Sequence, residues 1–187
     1  MAFLSLGVVS YARYPAAFSL TKNWLSDLGD QSLNPHGASF FRFDVILMGL
    51  IIALFFTGLV VLRDGQRGRT RVFITLSQLF GLVSAVALAM TGVFAEGLHS
   101  SHALWACLFF VFSGGSVLFS GLAFHHHRSP FKKLICLAFL LCVSEWVFAA
   151  LSRVHVLEWV VIALLIVYFA SVAVGTSAVA SGRTSTA

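Results

Sequence analysis

Five apolar runs constrain this chain more than any other feature. They cover roughly Phe43–Leu62, Val72–Ala95, Ala103–Phe124, Lys132–Leu151 and Leu157–Gly175. As a helix, about 20 such residues cross the roughly 30 Å hydrocarbon layer of a bilayer. Each run is apolar on every face, as lipid or a bundle interior requires and a half-wet helix does not. A sixth run, Met1–Tyr14, is too short; as a helix it spans only about 20 Å, and it carries Arg13 near its end. It reads either as a first helix with its front missing or as a stub that begins inside the bilayer. The expectation is an all-α, polytopic transmembrane bundle of about six helices, the first short or truncated. Residues 1–187 form one integral membrane domain, and 176–187 form a frayed cytoplasmic tail.

Composition excludes the main rivals. Hydrophobic residues make up 59% of the chain and charged residues 10%, against about 25% charged in an ordinary soluble domain. A soluble enzyme, a disordered tail and a nucleic-acid-binding domain are all poor readings, and no nucleic-acid partner is expected. The net charge of +5 marks cytoplasmic helix ends instead. Cys107, Cys136 and Cys142 are odd in number and lie in apolar runs, so they read as inert thiols rather than a disulfide framework. The first ten residues lack the basic start of a cleaved signal peptide.

Loop charge gives an orientation. The loop from Arg63 to Arg71, the loop from His125 to Lys133 and the tail with Arg183 hold eight of the twelve Lys and Arg residues. By the positive-inside rule these segments face the cytoplasm, and with six helices both termini do too. The loops Ala16–Arg42, Glu96–His102 and Ser152–Glu158 then face outward. The triple histidine His125–His127, beside Arg128, Lys132 and Lys133, reads as a basic collar on anionic headgroups. Ser77, Gly81, Ala85 and Ala89 recur every four residues, and Ser113-Gly-Gly-Ser116 repeats the theme; small residues let helix backbones approach closely.

The unusual polar residues gather on the outward side. Ser26-Asp27-Leu28-Gly29 reads either as a helix cap or as a base or metal ligand with Ser26 as nucleophile beside a histidine. Glu96, His99 and His102 lie three apart. They offer a metal site or a single functional histidine, although no His-Glu-x-x-His signature is present. Glu145 lies inside an apolar run, where an ionisable group is a functional candidate by default. Its expected partners are the outer histidines or Arg153, and a structural hydrogen bond is the alternative. Gln78 reads as interhelical glue. Ser26, Asp27 and His102 are expected in one cluster, with His102 as the donor that a buried Asp27 needs. Glu145 completes the set of candidate catalytic residues; no cofactor is indicated.

These residues also carry a resemblance. Tyr14-Pro15, the stretch Asn23-Trp24-Leu25-Ser26-Asp27-Leu28-Gly29, Asn34-Pro35 and Phe40-Phe41 precede an apolar helix with Gly49. Together with Gly92-Val93-Phe94-Ala95-Glu96 and His102 ahead of Phe109-Phe110, they resemble the prokaryotic family known as domain of unknown function 998. Ala95 stands where that family often has proline. The family is similar to the Frag/DRAM/Sfk group of six-helix membrane proteins, some of which are implicated in handling lipids and lipid anchors. The resemblance implies a multi-pass protein of a prokaryotic plasma membrane that acts on or senses a lipid headgroup or small molecule. The alternative is a non-catalytic membrane module, or an accessory subunit bound to a membrane-protein partner or to further copies of itself.

Overall fold

The computed structural model describes residues 2–126, 134–151 and 154–184. Among the described residues there are six α-helices and no strand. They are α1 (Ala2–Ala12), α2 (Ala38–Arg63), α3 (Gly68–Val93), α4 (His99–His126), α5 (Leu134–Leu151) and α6 (His155–Thr184). Within them Ala38–Arg63, Gly68–Val93, Ser100–His125 and His155–Val174 are long and apolar enough to cross a membrane. The fourth apolar run falls shorter: its described part, Leu134–Ala150, is an apolar helix below that length. The protein is thus a helical bundle of membrane type, with four candidate spans rather than five among the described residues. The backbone of α6 is helical to Thr184. The collar from His127 to Lys133 lies outside the described residues.

Neighbours in sequence are neighbours in space. α3 packs along α2 on one side and α4 on the other, α4 packs along α5, and α1 lies on α2. The row closes through α6, where Phe169 meets Phe55 and Phe56 edge-on at 5.3 and 5.7 Å. Tyr168 also reaches Ser120 of α4 at 2.6 Å. The core holds Val117, Leu141, Val161 and Tyr168, whereas Leu54 and Val174 on the rim are 73% and 72% exposed. That outward display suits lipid rather than water.

The small-residue stripe is an internal seam. A Cβ on Gly81 would lie 2.3 Å from the Phe56 ring, and one on Gly49 would lie 2.7 Å from the Ala85 carbonyl oxygen. These positions hold glycine because α2 and α3 touch there, which is how membrane helices gain van der Waals packing. Gln78 is the glue expected of it. Its Nε2 donates at 3.0 Å to the Phe56 carbonyl, beside a break in α2 at Leu59.

Candidate functional site

The long loop between α1 and α2 is ordered, and its order builds the site. Leu25–Gly29 forms a 3-10 helix. Asp27 caps it, accepting the Trp24 backbone N–H at 3.1 Å and the Asn23 side-chain amide at 3.0 Å. Gly29 lies under the Phe41 ring, where a Cβ would come within 2.9 Å. Trp24 packs on His155 with ring centroids 4.0 Å apart, and Trp159 Nε1 donates to the Asn23 carbonyl at 3.4 Å. A second clasp lies behind. Asn34 is fully buried and its Nδ2 faces three acceptors, Ser10 O, Ser10 Oγ and Leu28 O, at 3.0–3.2 Å. The loop is therefore pinned to α1, α2 and α6.

At this end of the bundle Ser26, Glu96, His102 and Glu158 line a single partly open cavity of about 80 Å³. Its floor and walls are apolar, with Phe41, Phe109, Phe110 and Ile162 among them. A water molecule takes up about 30 Å³ in the liquid, so there is room for a few waters or one small polar group. Arg42 also lines it, with its guanidinium turned to the end of α3. There Nε and Nη2 donate to the Gly92 and Val93 carbonyls, both at 2.9 Å. These are carbonyls a helix C-terminus leaves without an intrahelical donor.

His102 is held from both sides. Its Nδ1 lies 2.8 Å from the Phe94 carbonyl oxygen and its Nε2 lies 2.9 Å from Glu96 Oε2. A carbonyl only accepts, so Nδ1 carries a hydrogen. A carboxylate at Glu96 then calls for a hydrogen on Nε2 as well, which makes the pair imidazolium and carboxylate. Opposite, Glu158 Oε2 accepts the Leu25 backbone N–H at 2.6 Å, tying the start of α6 to the 3-10 helix. Burial pushes the Asp27 carboxyl above the usual carboxylate range, against the opposing pull of its Asn23 and Trp24 donors.

The expected residues differ in what each one bonds to, although Asp27 stays within electrostatic reach of Glu96 and Glu158. Ser26 and His102 share the cavity, and the Ser26 hydroxyl has no described hydrogen bond. The carboxylate beside His102 is Glu96 rather than Asp27, which turns to the backbone it caps. Glu145 is fully buried, pairs with Ser113 of α4 and does not line the cavity. Arg153, its expected partner, lies outside the described residues. For a metal, Glu96 and His102 face each other, the His99 side chain lies outside the described set, and among the described residues no group of three ligands is present. Glu158 belongs to the outward polar group expected from the sequence, which gave it no role, whereas Arg42 was not expected in the cavity. Their signal was present but faint: a lone acid in the first turn of one apolar helix and a lone base beside the start of another.

Comparison with known protein families, with curated proteins and with solved structures finds no match.

Proposed function

We propose that this chain is a multi-pass membrane protein whose cavity receives the polar headgroup of a lipid and senses it. The observation that carries the reading is the His102–Glu96 pair, fixed at 2.9 Å on the same cavity wall system as Ser26 and Glu158. A cavity this small admits one polar group while acyl chains stay in the bilayer. Imidazolium, hydroxyl and carboxylate side chains give it donors and acceptors for that group. Binding is favoured over hydrolysis by the same geometry. Both ring nitrogens of His102 are engaged, so the ring does not stand ready to take a proton from Ser26. Chemistry at Ser26 requires Glu96 to leave first.

Loop charge supports an orientation with this cavity on the outer face and both termini in the cytoplasm. The resemblance to the domain of unknown function 998 family supports a prokaryotic plasma membrane. A second reading, a purely structural membrane module, draws support from Asp27, whose described bonds are all internal caps. The two readings part on lipid binding in nanodiscs, read by the fluorescence of Trp24, Trp105 and Trp159. His102→Gln and Glu96→Gln should each weaken headgroup-dependent binding at least about tenfold, equivalent to about 1.4 kcal/mol, with folding retained. Equal binding by wild type and both variants would leave the structural module standing.

A further inference from the structure

Glu145 belongs to no part of the cavity, yet it is the most deeply placed acid in the bundle. It sits on α5 with no accessible surface. One oxygen, Oε2, shares a hydrogen bond with the Ser113 hydroxyl of α4, while Oε1 has no partner. From its own helix it faces Cys142, one turn earlier. The buried apolar cluster shared by α4, α5 and α6 includes Phe110, Val117, Leu141, Phe148 and Val161. No charged side chain of the described residues acts on it from any packed helix.

A carboxylate cannot be satisfied there. Ionised buried carboxylates are stabilised by two or three donors or by a cation, and a single hydroxyl supplies one hydrogen. An unpaired buried charge is strongly destabilising even after relaxation. The hydrogen count points the same way. Ser113 Oγ also lies 3.5 Å from the Phe110 carbonyl oxygen, an acceptor for its own hydrogen if Glu145 supplies another.

We propose that Glu145 is a proton-binding site in the bundle core. The neutral acid donates its hydrogen to Ser113 Oγ, and Ser113 donates in turn toward the Phe110 carbonyl. Two hydrogens then serve two acceptors, and no charge is buried. Phe110 also lines the cavity, and Ser113 lies three residues further along α4, one turn deeper. The site does not depend on the cavity binding a lipid.

Infrared spectroscopy of the protein in nanodiscs tests this, because a carboxylic acid and a carboxylate have separate C=O bands. At neutral pH the wild-type spectrum minus that of Glu145→Gln should contain a carboxylic-acid band. Glutamine keeps the shape and offers its own N–H to Ser113, so this variant should melt within a few degrees of wild type. Asp44→Asn serves as the control, since Asp44 is a second buried acid with an unpartnered oxygen; it should leave the Glu145 band in place. Ser113→Ala should shift the band as the acid loses its acceptor, which tests the site without touching Glu145. A wild-type-minus-Glu145→Gln spectrum with a carboxylate band and no acid band would overturn the proposal. So would a band that Ser113→Ala leaves unmoved.

Discussion

Two regions of this bundle are held together by opposite means. Along the α2–α3 seam, Gly49, Gly81 and Gly92 let backbones and rings touch, and close contact dominates, with the bond from Gln78 to the Phe56 carbonyl added to it. At the loop end, order comes from a set of directed bonds: Asn34 to Ser10 and Leu28, Asp27 to Asn23 and Trp24, Arg42 to the end of α3, and Glu158 to Leu25. A seam built on contact tolerates no added atom but carries no chemistry. A region built on polar bonds can exchange one partner for another, including a ligand. The cavity lies in the second region, at the point where α4 and α6 begin.

The contrast predicts a graded set of effects. The largest is at the seam. Gly49→Leu drives a side chain into the Ala85 carbonyl and the Ala89 backbone, which cannot move aside, and overpacking of this kind costs on the order of 3 kcal/mol. Thermal unfolding in detergent should show it as a large loss. Asn34→Ala should cost about 2 kcal/mol, from the polar groups it leaves unpaired. It should also free α1 while α2–α5 hold, seen as faster proteolysis confined to residues near Tyr11–Leu20. If the two variants fail in the same way, the regions are not separable.

How legible this was from sequence follows the same division. The seam could be read directly, because Ser77, Gly81, Ala85 and Ala89 recur at helical spacing and small residues in an apolar run have one common use. So could the helical class and the gathering of polar residues at one end. The pairings inside that gathering could not. Glu96 takes His102 because the chain turns between α3 and α4 and sets their side chains face to face. The same three-residue spacing read on a straight helix suggests a metal site instead. Asp44 is one acid in a run of apolar residues, and its contact with Gly7 depends on how α1 docks, far back in the chain. Glu158 finds the Leu25 N–H across 133 positions. Contacts of that range are set by packing and leave no local pattern.

The smallest effect concerns pH. Burial holds the Asp27 carboxyl above the usual carboxylate range, so the folded protein binds that proton more tightly than the unfolded chain does. The resulting stabilisation is complete below the unfolded carboxylate pKa and is lost as the pH rises through the folded value. Wild-type melting temperature should therefore decline slightly over the range just above ordinary carboxylate values. Asp27→Asn should flatten that decline. A wild-type curve that instead rises over this range would mean that the cap's two donors outweigh its burial.

The claim that the polar end is a headgroup site is tested most directly by photocrosslinking. A lipid with a photoactivatable group on its headgroup is built into nanodiscs with the protein, irradiated, and the adducts are mapped by mass spectrometry. The account predicts adducts on the cavity wall, within Leu25–Gly29, Glu96–His102 and the first turns of α6, with yield falling in His102→Gln. Adducts spread along lipid-facing positions such as Leu54 and Val174, with none on the cavity wall and no change in His102→Gln, would contradict it.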